Sequence, residues 1–506
     1  MNIIHLIKKQ VFTHPLFWGS LILFTTAFFS TGYDFADEHF QILEIANYKA
    51  GNTNASSLPW EFHAQMRPGL QPAIAYALII TCKLFNICNP FVISLFLRLL
   101  SAALILLTIF QLTKAFISYS STQFPKTTLY LFSFFIWFLP YNFVRFSSEN
   151  WSGMAFMLGL AIYLLNRENK NTYKLLFVGL LTGFSFVFRY QSAFMIIGLG
   201  LWMLIIGKES FKRILFFATG NILALIIGII IDRWLYGNWI LSFWNYFDLN
   251  ILQDKVSEFG ILPWWFYFEN IFLKATPPIG IAIILSFLYF WYKHAKNIVS
   301  WISIPFVAAH LFIGHKELRF LYPLLLLISL CFSIVYSDLQ KSLIFKNLHQ
   351  NMMLKKIIYL LVGLNLMVLI IMCFKPADEL ISLYKCLYNK SLDKNSKMII
   401  VGNENPFLRG GKKLAISFYK SKTLSFIDIQ NYAAINDSLL TSDTSSYFLA
   451  VKNFNVSHIK EDQLLKFTEI YKTYPAWVRK FNINNWMSRT NTWTLYEIKK
   501  NRQTKI

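Results

Sequence analysis

Apolar residues come in runs of about 17–25 along most of this chain, from Phe17 to Phe374, with short polar breaks between them. Runs of that length suit helices that cross a bilayer, and they predict about eleven to thirteen spans. No cleavage pattern follows the first run, Phe17 to Ser30, so it reads as a retained helix. The breaks are of two kinds. Basic ones lie near Lys114 to Lys126, Arg167 to Lys174, Lys208 to Arg213, Lys293 to Lys296 and Lys341 to Lys356. Between them fall breaks of mixed charge or unusual composition, at 141–150, around Arg189, at 232–267 and at 313–320. Short basic loops stay in the cytoplasm, which also places the N-terminus there through Lys8 and Lys9. Two runs, 69–87 and 92–114, break the alternation, because two full spans there would put every later basic loop outside. Either one of them is a half-helix lying in the interface, or a loop is charged against the rule.

From residue 375 the chain turns polar, with Lys, Asn, Ser and Asp throughout. "SKMIIVGNENP" reads as a strand and a polar turn, "LAISFYKSKTLSFIDI" as a helix followed by a strand, and "TNTWTLYEIKK" as a closing strand. The expected organisation is a membrane catalytic domain over 1–374 and a small α/β domain over 375–506 on the outer side. The first outer loop, 32–68, is expected to carry interfacial helices.

Composition agrees with this pattern. The 506 residues are 55% hydrophobic and only 15% charged, against about 25% charged in soluble domains. A net charge of +22 on a soluble protein would suggest nucleic acid. Here much of the Lys and Arg lies in loops where it sets topology, so no nucleic-acid partner is expected. The five cysteines show no CxxC or His-rich spacing, which predicts neither a metal site nor a disulfide framework.

Two stretches concentrate candidate chemistry. "DFADEHFQILEIANYKAG" (34–51) sets Asp34, Asp37, Glu38 and Glu44 just outside the first span. Glu38, Gln41 and Ile45 fall at helical spacing, as on an amphipathic helix at the membrane surface. Asp37 as the cap of that helix is the plainer alternative to a catalytic carboxylate. The same loop goes on to "LPWEFHAQMRPGLQP" (58–72) with Trp60, Glu61, His63 and Arg67, and a loop this long is often functional. Further on, "HKELRF" places His315, Lys316, Glu317 and Arg319 between two apolar runs. Charges at a membrane boundary line a pathway or a site more readily than four of them snorkel.

These pieces resemble glycosyltransferase family 22, which has the GT-C fold and includes mannosyltransferases using dolichyl-phosphate-mannose. The family's first loop carries a DE-x-x-Q-x-x-E pattern, then WE, an Arg and a Pro. Here these are Asp37, Glu38, Gln41, Glu44, Trp60, Glu61, Arg67 and Pro72. "YNFVRFSSENWSG" (141–153), with Arg145, is similar to the family's Arg segment, although Glu149 and Asn150 stand in reversed order. "FVFRYQSA" (186–193) has Arg189 but lacks the usual Pro-Thr after it. "DRWLYGNW" (232–239) with Tyr236, "FGILPWWFYF" (259–268) with Trp264 and Tyr267, and "HKELRFLYP" (315–323) are similar to three further family segments. "NPFLRGG" (405–411) is a looser likeness without the family's His. Within the family the chain looks most like the GPI-anchor mannosyltransferases of the third-mannose type. Its short termini and altered motifs would suit a bacterial relative.

The resemblance implies an α-helical multi-pass membrane protein of GT-C type. It implies transfer of mannose or another hexose from a polyprenyl- or dolichyl-phosphate-linked donor to a glycolipid or lipid-linked glycan, with inversion. A carboxylate would take the acceptor's proton, and cations would hold the departing phosphate. Asp37 is the first candidate for the base and Glu38 the second. Arg189, His315, Lys316 and Arg319 are candidates for the phosphate. Gln41, Trp60, Glu61, Arg67, Arg145, Tyr236, Trp264 and Tyr267 are candidates for substrate contact. No cofactor or metal is expected, since phosphate is already a good leaving group and no Asp-x-Asp motif sits in a suitable loop. The active site is expected on the periplasmic or lumenal face of an inner or endoplasmic-reticulum membrane. A GT-C transferase for another sugar or a protein acceptor is the enzymatic alternative. A multi-pass transporter or lipid flippase is the other, and it would show internal repeats and charges along a central path.

Overall fold

The computed structural model describes residues 14–119, 126–342 except 168 and 170, and 351–501 except 393, 410–413, 437–438, 441–444, 453–464, 475–477, 479 and 489–491. Lys8, Lys9 and the Gly pair of "NPFLRGG" therefore lie outside the described residues.

Among the described residues, eleven helical segments run between two ends of a bundle. They are Pro15–Phe29, Pro90–Tyr119, Lys126–Phe135 with its continuation Leu139–Phe143, Ser148–Leu165, Thr172–Phe188, Ala193–Ile205, Phe211–Tyr236, Pro277–Lys293, Ile298–Phe312, Leu325–Gln340 and Met352–Phe374. Four helices of the described residues are long and apolar enough to cross a membrane on their own: Pro90–Tyr119, Phe211–Tyr236, Leu318–Gln340 and Met352–Phe374. The basic breaks collect at one end, where Arg167 lies over the rings of Tyr119 and Trp202, Tyr163 donates to Glu209, and His294 meets Asp338 at 2.7 Å. The mixed breaks collect at the other, where Tyr141 donates to Asp34 and Arg145 to Ser30.

Leu70–Leu84 shows how the alternation survives the two consecutive runs. This helix has 15 residues, which rise about 22 Å at 1.5 Å each, short of a hydrocarbon core of about 30 Å. It begins at the mixed end, where the Gly69 amide donates to Asp232 at 2.7 Å. It finishes at the same end, where Phe91 packs 5.0 Å from Tyr419 and 5.7 Å from Tyr388 of the C-terminal region. Both termini share one face, so Leu70–Leu84 lies along it and the next helix crosses.

The acidic stretch after the first helix is itself helical, but Glu38 to Asn47 are buried, so it is not the exposed surface helix expected. An α turn (Ala36–Glu38) passes into a π-helical turn (His39–Leu43) and then into Glu44–Lys49. The extra residue of a π turn rotates the residues before it relative to those after it, a device often found at functional sites. Asp37 does not cap this helix, since Phe35 holds the cap position and offers no side-chain bond.

The polar C-terminal region forms a mixed five-stranded sheet. Its strands are β1 (Ser396–Val401), β4 (Leu424–Ile429), β5 (Ser446–Lys452), β6 (Leu465–Lys472) and β7 (Trp493–Lys500), in the order β4-β1-β5-β7-β6. β1 pairs in parallel with β4 and β5, and β7 pairs antiparallel with β5 and β6. A short hairpin of β2 (Leu408–Arg409) and β3 (Leu414–Ala415) sits beside it. "LAISFYKSKT" was expected to open as a helix. It forms β3 and turns, because its Ser417 and Phe418 amides bond to Glu44 instead of to a helix backbone. Helix Ile381–Ser391 joins the sheet to the last membrane helix.

Helix pair Thr172–Phe188 and Phe211–Tyr236 is held by backbone contact. A Cβ on Gly179 would meet the Phe217 carbonyl at 2.1 Å, and one on Gly220 would meet the Leu176 carbonyl at 2.1 Å. Gly183 faces Ala224 in the same way. Small residues four apart let the helices touch where lipid offers no hydrophobic drive for association. Gly220→Val should therefore destabilise the purified protein by about 1–3 kcal/mol, the usual cost of overpacking. Gly363→Val, where nothing lies within 4 Å, should leave the thermal unfolding midpoint unchanged.

Candidate active site

The mixed end of the bundle gathers an alternating row of charges around Asp37. Its Oδ2 lies 2.9 Å from Arg319 Nη1 and 4.0 Å from Arg67 Nη2. Arg319 turns its other edge to Glu317, with Nε donating at 2.7 Å and Nη2 at 2.8 Å. Glu317 in turn meets His315 at 3.3 Å. On the far side Arg67 approaches Glu61 at 3.6 Å, and Gln41 donates to Glu61 at 3.2 Å. Arg189 pairs with Glu149 at 3.3 Å, and its guanidinium and that of Arg319 lie over the ring of Phe320. Tyr236 fixes the loop by donating to the Arg67 carbonyl at 2.8 Å.

The electrostatics of Asp37 follow from these neighbours. Burial alone would raise its pKa, but Arg319, Arg67 and Arg189 outweigh burial and hold the carboxyl below the usual carboxylate range. Glu317 is likewise held low: burial pushes it up, and the hydrogen bonds and charge of Arg319 more than compensate.

The other carboxylates of the opening cluster do different work. Glu38 is buried, accepts the Asp34 amide at 3.0 Å and lies 3.7 Å from Arg145. Burial pushes its carboxyl up, only partly offset by Arg145. Arg145 itself donates to the Gly32 carbonyl and to the carbonyl and hydroxyl of Ser30, so it fastens the end of the first helix. Glu44 meets His39 at 2.8 Å and accepts the Ser417 and Phe418 amides at 2.6 and 2.9 Å. Asp34 is exposed and accepts a hydrogen bond from Tyr141.

Beside Arg319 opens a cavity of about 540 Å³. Its walls include Ile283, Phe287, Leu288 and Trp291 of one membrane helix, with Trp137, Phe138, Leu321 and Ile328 from others. Its head carries Asp34, Lys316, Glu317 and Arg319, and buried Tyr267 lines it. Lys274 and Lys375 also line it. Lys316 is buried, with its ammonium on the Leu262 and Ile313 carbonyls. A second, much smaller recess lies on the other side of the charge row and is lined by Gln41, Arg67, Gln71, Arg189 and Gln191. Among the described residues no group of three or more His, Cys, Asp or Glu is placed to hold a metal ion.

The structure thus brings together Asp37, Gln41, Glu61, Arg67, Arg189, His315 and Arg319, with Tyr267 and Lys316 beside them at the cavity. Glu38 and Arg145 form a separate buried pair. Trp264 is 60% exposed and its ring packs on Trp265 and Phe268. Trp60 stacks on Phe259. Glu149, which pairs with Arg189, and Lys274 and Lys375, which line the cavity, were not among the sequence candidates. Glu149 had a sequence signal, a lone acid opening an apolar helix, whereas the two lysines read only as charges flanking apolar runs.

GPI mannosyltransferase 3 of Candida albicans is 26% identical over 291 residues, 57% of this chain and 57% of that protein. GPI alpha-1,2-mannosyltransferase 3 of Xenopus laevis is 24% identical over 305 residues, 57% of this chain and 53% of that protein. The matched part spans just over half the length of these curated relatives. The crystal structure of ArnT from Cupriavidus metallidurans, bound to undecaprenyl phosphate, superposes with a TM-score of 0.53 at 10% identity, over 94% of this chain and 96% of that one. At that identity the likeness concerns the fold, which is of GT-C type. A family model of the Alg9-like mannosyltransferases matches residues 16–404, and on that match the chain belongs to the Alg9-like mannosyltransferase family.

Proposed function

We propose that this protein transfers a mannosyl group from a polyprenyl- or dolichyl-phosphate donor to a glycolipid or lipid-linked glycan, with Asp37 as general base. The observation that carries the reading is the apolar cavity whose head ends at the Asp37–Arg319–Glu317 row. A lipid-linked sugar needs an apolar groove for its chain, with a carboxylate where the sugar–phosphate bond comes to rest. The oxygen of the acceptor hydroxyl attacks the anomeric carbon and its proton passes to Asp37. The bond from that carbon to the phosphate oxygen breaks, and the lipid phosphate leaves with the electron pair. Attack opposite the leaving group inverts the anomeric carbon. Asp37 stands between Arg319, which lines the apolar cavity, and Arg67, which lines the small recess.

Other members of the row act on Asp37 more than on phosphate. Arg319 is engaged by two carboxylates, Arg189 by Glu149, and His315 by Glu317. We assign Arg319 and Arg67 the task of holding the base ionised and aimed. A transporter or flippase would need charges strung through the membrane, whereas these gather at one end. The family and its named relatives favour mannose over other sugars. We place the site on the periplasmic or lumenal face, since the basic loops collect at the opposite end.

Asp37→Asn keeps the size and most hydrogen bonding but removes the base. Turnover should fall roughly 10²–10⁴-fold, while a radiolabelled polyprenyl-phosphate-mannose donor is still retained. Glu38→Gln, in contrast, should lower thermal stability more than turnover per folded molecule. Parental turnover in Asp37→Asn would remove it from the chemistry.

Because the carboxyl of Asp37 is held low, it stays ionised as the pH falls through the ordinary aspartate value of about 4. The acid limb of turnover against pH should therefore lie below that value, and Arg319→Gln, which removes the positive charge that does most to hold Asp37 ionised, should move it upward. An acid limb that stays in place in that variant would separate Arg319 from Asp37.

Sidedness can be read with an existing thiol. Cys88 is exposed and lies in the turn that packs on the C-terminal region. With the protein expressed in a bacterial inner membrane, a membrane-impermeant maleimide should label it in spheroplasts; labelling only after the membrane is opened would reverse the topology.

A further inference from the structure

We infer that Lys274 and Lys375, which both line the apolar cavity, form the binding site for the lipid phosphate. This rests on the proposed lipid-phosphate donor and names residues for it. Departing phosphate needs cations that are not already neutralised. Four charged groups besides these two line the cavity: Asp34, Glu317, Lys316 and Arg319. They sum to zero. Arg319 is gripped by Glu317 and Asp37, and the buried Lys316 ammonium sits on two backbone carbonyls.

Lys274 and Lys375 are the surplus. They come from separate elements, the last turn of Phe266–Lys274 and the residue after Met352–Phe374, and both line this one cavity. Both are exposed, and neither has a carboxylate within ion-pair distance among the described residues. Their combined charge of two matches the chemistry. A phosphodiester donor carries one negative charge, and the released lipid phosphate carries up to two. Two free ammonium groups therefore hold the phosphate more tightly as the bond to the sugar breaks, which is the direction that helps catalysis. Arg319 keeps Asp37 ionised, and the lysines receive the leaving group. The competing explanation is that each lysine only snorkels at the end of an apolar helix. Lys83, in the last turn of Leu70–Leu84 and outside the cavity, is such a residue and serves as the control.

The test is equilibrium binding of undecaprenyl phosphate and of uncharged undecaprenol to the purified full chain in nanodiscs. Lys274→Gln and Lys375→Gln should each weaken binding of the phosphate about tenfold, as expected for a charge-assisted hydrogen bond, and the double variant more. Undecaprenol binding should not change in any of them. Lys83→Gln should bind both lipids as the parent does, and Lys→Arg at either cavity position should restore most of the loss. Neither excess phosphatidylglycerol nor inorganic phosphate should displace undecaprenyl phosphate, because the site needs the chain and the head together. If the parent prefers undecaprenyl phosphate over undecaprenol and the double variant keeps that preference, the lysine assignment is overturned while the donor reading stands. If the parent shows no preference, both fall.

Discussion

One guanidinium between two carboxylates organises the mixed-charge end of this bundle. Arg319 leaves the membrane boundary on a helical turn, grips Glu317 with two donors and sets its third edge 2.9 Å from Asp37. The row continues through Arg67 to Glu61 and through Glu317 to His315. Arg319, Asp37 and Arg67 each lie between groups of opposite charge, which is how ionised groups are tolerated away from bulk water. Phe320 lies beneath both Arg319 and Arg189, so the guanidiniums rest on a ring instead of on solvent. The pieces of the row come from the long segment after the first helix and from the segment before helix Leu325–Gln340. Its geometry therefore depends on most of the bundle being assembled.

The C-terminal region takes part in that assembly. Glu44 lies on the helical stretch that presents Asp37, and it accepts two amides from the β3-to-β4 connection. His39, bonded to the same carboxylate, is stacked between Tyr33 and Tyr419. The Ala377 amide donates to the Thr31 carbonyl at 2.8 Å, and Arg409 reaches Asp378 at 2.8 Å. The helix with its π turn is thus held from above by the sheet region and from below by Arg145. A loop of this size without those contacts would sample many arrangements, at a cost of about 1–2 kcal/mol per residue to order its backbone.

Much of this was legible in the sequence, and the parts that were not have a physical reason. Run lengths and basic breaks give the alternation of helices, because bilayer thickness and positive charge act locally along the chain. They left open which of the two consecutive runs crosses. That depends on contacts at Asp232, Tyr388 and Tyr419, all remote in sequence. "HKELRF" and the first outer loop stood out as charges beside apolar runs, and the structure does bring them together. The partner of each charge could not be read. Asp34, Asp37, Glu38 and Glu44 look alike on one short stretch, yet one borders the cavity, one faces Arg319, one is fastened to Arg145 and one accepts amides from the sheet region. A helix turns about 100° per residue, and the π turn adds its own rotation. Adjacent acids therefore meet different surroundings. The glycines at 179 and 220 were missed because their role is close approach of two backbones, which leaves no periodic apolar signature.

The arrangement also resolves an opposition between two needs of a carboxylate proposed as a base. A carboxylate at a membrane boundary loses hydration, which raises its pKa and risks leaving it protonated when the acceptor arrives. Surrounding it with cations restores ionisation but lowers its basicity and invites it to serve only as a structural ion pair. The row meets both demands by sharing. Arg319 gives its hydrogen-bonded edge to Glu317, so its hold on Asp37 is through a single nitrogen, and Arg67 stands farther off at 4.0 Å. Asp37 is kept charged by fields from several sides while only Arg319 touches it, an arrangement that suits the proposed role of base. Glu38, beside it in sequence, shows the contrast: Arg145 at 3.7 Å and the more distant Arg98 do not overcome its burial. The difference between neighbouring acids is the number and placement of guanidiniums, which keep the carboxyl of Asp37 low while that of Glu38 is raised.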